Sequence, residues 1–363
     1  MKLGLFLYAS HPPERSYYDA TQWDLEMIRY ADELDYEEVW MGEHFTAEWE
    51  PIPAPDLVVA QALLQTKKIK LGVGAHLLPY HHPAELAHRV AYLDHLAQGR
   101  FLFGVGSSGL GSDLALFNVD GSTGENVKMT AEALEIILKL WTEQEPFEYR
   151  GNYWNVNKTD RMHEVLGPHM KPYQKPYPPI GVAGLSPHSA TLKIAGQRGF
   201  IPMSLAYRHS AASKNWESVV EGAKRSGKTP DRQDWRVGKN VFVADTDEEA
   251  YEYSVNSMMG RHFREYTIPL FKSLGRLSIF KEDENIPDED VTVDYIAENC
   301  WFIGSPDTVA KKLDHFYKIS GGFGTLLTPG YDYLDNPEVW KKSMRLLKEE
   351  VLPRLKHNRV VYY

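Results

Sequence analysis

IKLGVGAHLLPYHHP, running from Ile69 to Pro83, joins a strand pattern to a helix start. Ile69, Leu71 and Val73 alternate as in a strand, two glycines follow within it, and the chain then leaves carrying His76, His81 and His82. Pro83 stands where the first turn of a helix over Ala84 to Ala97 begins. Gly72, Gly74 and Ala75 fill little volume at a strand end, and three imidazoles need hydrogen-bond partners, so the stretch is poor packing material. Two readings stay open on these residues alone. Either something flat lies against the strand end, or a glycine-containing strand runs into a solvated loop.

Working outward, the same strand-then-helix beat recurs. Lys2 to Tyr8 is a nearly continuous apolar run, as in a parallel strand buried on both faces. Trp23, Met27, Tyr30, Ala31 and Leu34 have helical spacing, and Glu38 to Met41 is a short strand ending at Gly42-Glu43-His44. Leu57 to Leu64 reads as a helix, and Arg100 to Val105 as a strand running into GSSGLGSD, after which Leu110 to Asp120 makes no convincing helix. Met129 to Trp141 is amphipathic, and FEYRGNYWNV predicts a hairpin turning at Arg150-Gly151-Asn152. Thr159 to Pro179 is irregular. Strands are expected at Ile180 to Ala183, Phe200 to Leu205, Arg236 to Ala244 and Gly324 to Thr328, with a last helix over Trp340 to Leu355. Eight strands mostly separated by helices describe an α/β fold, a single (β/α)₈ TIM barrel over residues 1–363, with loop insertions at about 145–179 and 260–300. The second insertion, with its acidic run KEDENIPDED, reads as a long excursion or partly ordered lid.

Composition limits the function. The 363 residues are 43% hydrophobic, enough for a large core, and the net charge of -10 argues against a nucleic-acid or membrane-surface binder. One cysteine, Cys300, excludes an internal disulfide framework and a cysteine-cluster metal site and fits a cytoplasmic location. Neither a signal peptide nor a bilayer-spanning segment is expected.

In a barrel the residues that end the strands converge at one mouth. Here they are Phe6, His44, Ala75-His76, Gly106-Ser107-Ser108, Gly184-Leu185-Ser186 and Met203-Ser204. The set holds one carboxylate beside a histidine, several glycines and hydroxyls, and no acidic triad. Adjacent histidines such as His81-His82 point in different directions, and no carboxylate has suitable spacing, so no metal site is expected. Ser186, capping a helix with Pro187 at its first position, outlines an anion site and equally an ordinary cap. Gly104, Gly106 and Gly109 match a dinucleotide glycine motif only loosely, with no acidic partner about twenty residues on.

EVWMGEHF, IKLGVGAHLLPYHHP and LDHLAQGRFLFGVGSSG, in this order and spacing, resemble the bacterial luciferase superfamily of flavin-dependent monooxygenases, and most of all its diketocamphane and limonene monooxygenase branch. The resemblance implies a (β/α)₈ barrel and FMN, used as FMNH2 delivered by a separate flavin reductase. By position it makes His44 the histidine near the reactive edge of the flavin and Gly74-Ala75 a non-prolyl cis peptide under the ring. Gly106 stands where luciferase has its reactive cysteine, and Ser107 where it has an arginine on the phosphate. The matched phosphate loop is GLSPHS, with Ser186, His188 and Ser189 as the phosphate contacts; Ser108, Gly184 and Leu185 complete the cofactor set.

The activity implied is oxygenation of a small organic substrate by O2 through a C4a-peroxyflavin, the substrate being an alicyclic ketone, terpene-like or aromatic. His44 would control the peroxide proton, oriented by Glu43 or a backbone carbonyl. His76 is expected either to bond a substrate oxygen or to be a satisfied core histidine. An F420-dependent oxidoreductase of the same fold and a non-catalytic flavin-binding subunit are the alternatives. A homodimer is expected from the resemblance and from the broad apolar surface of the Ala84 to Leu96 helix.

Overall fold

In the computed structural model, which describes residues 1–167, 170–205 and 207–356, eight parallel strands close into a barrel. They are β1 (Lys2–Ser10), β2 (Glu38–Met41), β3 (Lys70–Leu77), β4 (Phe101–Gly106), β5 (Ile180–Gly184), β6 (Ile201–Ser204), β7 (Arg236–Gly238) and β8 (Thr325–Tyr331). Each pairs with its neighbours in sequence, and β8 pairs with β1 to close the ring. This is the expected architecture. Pro168 and His169 of the irregular stretch, and Ala206, lie outside the described residues.

Alternation along the strands separates two cores. Leu5, Val39, Leu71, Val73 and Phe103 point outward into the layer shared with the helices. Phe6, Trp40, Leu102, Met203 and Leu327 fill the barrel interior. Full burial of each such side chain stabilises the fold by roughly 1.5–3 kcal/mol.

Trp40 explains the glycines of β3. A Cβ on Gly72 would lie 2.8 Å from the indole Cε3, one on Gly74 would lie 3.0 Å from Trp40 Cβ, and one on Gly181 of β5 would lie 2.7 Å from Cη2. These positions are small because one large ring fills the barrel between them, so the flat group against most of β3 is the protein's own indole. Below it, Trp40 Nε1 donates to Glu38 Oε1 at 2.8 Å, and Arg236 grips the same carboxylate through Nε and Nη2 at 3.0 and 2.9 Å. A buried carboxylate needs such pairing, and it ties β2 to β7 across the barrel floor.

Other elements depart from the expectations. The single strand expected over Arg236 to Ala244 divides: β7 stays in the barrel, while Val241–Val243 pairs with Phe302–Gly304 outside it. Helix Ala190–Arg198 starts later than expected, capped by Ser189, whose Oγ accepts from Leu192 N, rather than by Ser186. A short helix, Gly111–Leu116, follows β4 where none was expected. The region from 258 to 300 is ordered and mostly helical, with Met258–His262 running through a wide π-turn, Phe263–Thr267, into Ile268–Ser273, and Val293–Cys300 beyond. Phe263, Phe280 and Trp301 are buried beneath it and supply the apolar anchorage that the acidic run conceals. The hairpin of Phe147–Arg150 with Asn155–Lys158 forms as expected. Among the described residues, no helix is long and apolar enough to cross a membrane.

Candidate active site

The C-terminal ends of β2, β3, β4 and β5 lie side by side, and the expected site residues occupy them in that order. His44 follows β2, with its backbone N–H bonded to Ile52 O at 3.1 Å. Its ring stands between two carboxylates, with Nε2 3.2 Å from Glu50 Oε2 and Nδ1 3.4 Å from Asp113 Oδ2. Asp113 is fully buried in the short helix after β4 and also accepts from Phe45 N, Thr46 N and Thr46 Oγ1, at 3.2, 2.8 and 2.5 Å. The His44 side chain keeps 22% of its surface exposed, so the ring is not fully enclosed.

The electrostatics follow from these contacts. Burial opposes a charged imidazole, but the Glu50 and then the Asp113 carboxylates outweigh it and raise the pKa of His44 above its ordinary value. Asp113 is held below the usual carboxylate range: burial works against it, and hydrogen bonds from His44 and Thr46 prevail. Burial pushes Glu50 up, while His44 and the Tyr266 hydroxyl, which donates to Glu50 Oε2 at 3.3 Å, pull it back. His44 therefore keeps its proton to higher pH than an ordinary imidazole.

Glu43 does not orient His44. Its Oε2 accepts from Leu77 N at 2.8 Å and its Oε1 from His81 Nε2 at 2.6 Å, which fastens the loop after β2 to the end of β3. Arg89 Nη2 donates to His81 Nδ1 at 3.2 Å, and Arg89 Nε lies 2.6 Å from Asp56 Oδ2. His76 completes this chain by donating from Nε2 to Asp56 Oδ1 at 2.7 Å. Its ring is 1% exposed and packs on Phe103, whose side chain belongs to the outer layer. His76 thus faces helix Pro55–Gln65 and not the barrel interior. Of the two expectations for it, the geometry corresponds to a core histidine, satisfied by a carboxylate instead of by backbone.

The Gly74–Ala75 peptide is cis, as the resemblance implies. Across from it, a Cβ on Gly106 would come within 3.1 Å of Ala75 Cβ, so these two residues form a low, flat floor at the mouth. Ser107 and Ser108 continue from β4, and Asn126 Nδ2 donates to their carbonyls at 2.9 and 3.3 Å. After β5, Gly184 approaches the next helix so closely that a Cβ would meet Ser189 Oγ at 2.6 Å. Leu185, Ser186 and His188 form the turn between them, with Ser186 and His188 exposed and His188 at φ 56°. The start of helix Ala190–Arg198 adjoins this turn, with the N–H of Leu192 already taken by Ser189 Oγ. A flat floor at one end and a helix start at the other fit a planar ring carrying a phosphate tail.

The opposite wall comes from the remaining strands. Tyr8, Leu205, Tyr207, Gly238, Lys239, Asn240, Cys300 and Pro329 line a small cleft there. Lys239 is buried and donates to Tyr207 O, and burial lowers its pKa to about 8. Among the described residues there is no group of three or more His, Cys, Asp and Glu side chains able to hold a metal.

Comparison with known proteins identifies the family. The family profile described as luciferase-like monooxygenase matches residues 1–322. The chain is 32% identical to a 3,6-diketocamphane 1,6-monooxygenase of Pseudomonas putida, over 98% of each protein. It is 28% identical to a limonene 1,2-monooxygenase of Rhodococcus erythropolis, covering 96% of this chain and 85% of that one. A solved structure of the oxygenating constituent of 3,6-diketocamphane monooxygenase from Pseudomonas putida, a type II Baeyer-Villiger monooxygenase in complex with FMN, superposes with a TM-score of 0.91 at 32% identity, covering 98% of each chain. An F420-dependent secondary alcohol dehydrogenase shares the fold alone, with a TM-score of 0.69 at 21% identity over 94% of this chain and 97% of that one. The chain belongs to the luciferase-like monooxygenase family.

Proposed function

We propose that this member of the family is the oxygenase component of a two-component system, receiving reduced FMN from a separate reductase and converting a small alicyclic ketone or terpene-like substrate. It is a flavin-dependent monooxygenase, and its cofactor is FMN. The observation that carries the mechanistic reading is His44 held between Glu50 and Asp113 at the mouth of the barrel.

Reduced FMN, when bound, supplies two electrons and activates O2; one oxygen atom enters the product and the other leaves as water. The protein's own groups do the rest. The floor of Ala75 and Gly106 supports the ring system, and the turn of Ser186, His188 and Ser189 with the helix start behind it receives the phosphate. Gly74, Ser107, Ser108, Gly184 and Leu185 shape the backbone between these ends. His44 keeps its proton beside the reacting oxygen, stabilising developing negative charge there and preventing its loss as hydrogen peroxide. A histidine whose charged form is favoured suits attack on a carbonyl carbon, which yields an ester or lactone, and the relatives named for diketocamphane support a ketone substrate.

The cleft of Tyr8, Leu205, Tyr207 and Pro329 has apolar walls with a few polar tips, the lining expected for a compact oxygen-bearing molecule. His76 acts from behind, by fixing the end of β3 through Asp56. The single, buried Cys300 supports a cytoplasmic setting. Exposed Leu57, Leu64, Tyr92 and Leu96 on two neighbouring helices, Pro55–Gln65 and Pro83–Ala97, support a homodimer formed through that face.

The experiment is to supply the protein with reduced FMN from a generic reductase, ¹⁸O2 and a panel of bicyclic ketones. One ¹⁸O atom in a lactone product is expected. Oxygen consumed solely to hydrogen peroxide across the panel would overturn the substrate class.

A further inference from the structure

Glu50 and Tyr266 have no role in the cofactor floor or the phosphate turn, yet both are committed to His44. Glu50 Oε2 receives two contacts on one oxygen, from His44 Nε2 at 3.2 Å and from the Tyr266 hydroxyl at 3.3 Å. The Glu50 side chain is 11% exposed, so its charge is poorly hydrated and depends on these partners. Tyr266 sits in the π-turn Phe263–Thr267, and such turns re-aim a side chain that a regular helix would direct elsewhere.

The surrounding contacts hold that turn over the mouth. The Tyr266 ring stacks on Trp49 with centroids 6.5 Å apart, and the His262 ring meets Trp49, Tyr266 and Tyr331 edge-on at 5.3, 5.3 and 5.4 Å. Arg261 pairs with Glu14 at 2.6 Å and lies over the Trp49 ring at 5.5 Å. Trp49 immediately precedes Glu50, so the segment from 258 to 267 is clamped to the residue that delivers the carboxylate.

We propose that Glu50 is a positioning residue for His44, and that Tyr266, supplied by the covering segment, holds the Glu50 carboxylate ionised and turned toward the imidazole. The proposal rests on the reading of His44 as the proton-holding group of the monooxygenase. The charged and titratable groups that face this pair are Asp113 from the helix after β4, Glu43 beside His44, and the Tyr8, Tyr207 and Tyr331 hydroxyls from the opposite wall. His262 faces Tyr266 and is neutral, since burial lowers its pKa to about 3. Glu50 and Asp113 both favour the imidazolium, and Tyr266 acts on it through Glu50: without the phenol hydroxyl, Glu50 takes up a proton more readily and its hold on the His44 charge weakens.

The test is the titration of the His44 ring in ¹⁵N-histidine-labelled full-length protein, its signal identified by its absence in His44→Gln. In Glu50→Gln the His44 pKa should fall by about one unit or more, as for loss of an opposite charge at this distance. Tyr266→Phe should lower it in the same direction by less, with FMN affinity retained, and Glu50→Asp should restore part of the shift. Because Tyr266→Phe removes a single hydroxyl from a partly exposed ring, it tests the proposal even if Glu50→Gln does not fold. An unchanged His44 titration in either folded variant would overturn it. A shifted titration supports it independently of turnover; if the pH profile of product formation then stayed fixed, the role assigned to His44 would fail while the coupling of Glu50 to His44 stood.

Discussion

Asp113 Oδ2 lies 3.4 Å from His44 Nδ1, although 69 residues separate the two in the chain. The contact depends on β2 and β4 ending at one mouth and on a short helix that turns Asp113 back toward the loop after β2. Asp113→Asn keeps the volume and part of the hydrogen bonding to Thr46 but removes the charge. His44 should then release its proton at lower pH, moving the alkaline limb of the product-yield profile downward. Product per oxygen consumed should fall roughly tenfold to hundredfold at neutral pH, up to the lower end of the scale for complete loss of an acid–base group. Steady-state rates with parallel peroxide detection check this, and an unmoved pH profile would contradict it.

Ser186 and Ser189 make separable predictions. Ser186 is exposed in the turn after β5, so Ser186→Asp should weaken FMN binding about tenfold by placing a like charge at the phosphate, without loss of stability. Ser189 caps helix Ala190–Arg198, so Ser189→Ala should cost about 1 kcal/mol in unfolding free energy as well as affecting the cofactor. Fluorescence titration with FMN and chemical denaturation distinguish the two. Unchanged affinity in Ser186→Asp would move the phosphate elsewhere.

His76→Gln should act on stability and leave oxygen transfer alone. The ring is buried against Asp56 and Phe103, so loss of its hydrogen bond should cost roughly 1–3 kcal/mol. Arg89 remains to pair Asp56. Product yield per oxygen consumed should stay within about twofold of the parent, since a group that touches no substrate makes no differential contact with the transition state. A drop as deep as that expected for His44 would place His76 at the substrate.

A further prediction concerns His11, which bridges Asp24 at 3.2 Å and Asp332 at 2.8 Å and so ties β1 to the end of β8. Burial opposes its charge, but the two carboxylates raise its pKa to about 9. A group whose folded pKa is raised stabilises the fold fully below its unfolded value, roughly 6.5, and loses that contribution as pH climbs through the folded one. Stability should therefore decline between about pH 6.5 and 9, and His11→Asn should lose stability at pH 6 while flattening the decline. Urea unfolding at pH 6, 7.5 and 9.5 measures it, and a parent curve that is flat or rises over this range would contradict it.

The sequence carried the barrel because its strands are short apolar runs buried on both faces, each followed by helical spacing. It did not distinguish β7 from Val241–Val243, since both contribute valines to one strand-like run and the chain leaves the barrel at Lys239-Asn240 without a proline to mark it. The cap moved from Ser186 to Ser189 because either serine suits a helix start, and the backbone at His188 delays the helix. Helices between 258 and 300 were hidden because they are short, charged outside and anchored by scattered aromatic side chains such as Phe263 and Trp301.

Site legibility followed the same division. His44, Ala75, Gly106 and the turn at Ser186 lie at strand ends, where position alone implies convergence. Glu50, Asp113 and Tyr266 are joined to His44 only by tertiary contact, and neighbouring Glu43 was the natural partner on sequence alone. The acidic residue closing GSSGLGSD was the one available signal for Asp113. The glycines of β3 suggested a flat group against the strand end, whereas Trp40, on the neighbouring strand, packs against Gly72 and Gly74.

His44 holds the proton that keeps activated oxygen on the path to product in the proposed reaction. The measurement that tests it most directly is product formed per O2 consumed by His44→Ala, supplied with reduced FMN and a turned-over ketone. FMN should still bind and oxygen should still be consumed, while product falls by about a hundredfold or more and hydrogen peroxide accounts for the difference. A yield per oxygen at the parent level, with no change beyond a lower melting temperature, would show that His44 is structural.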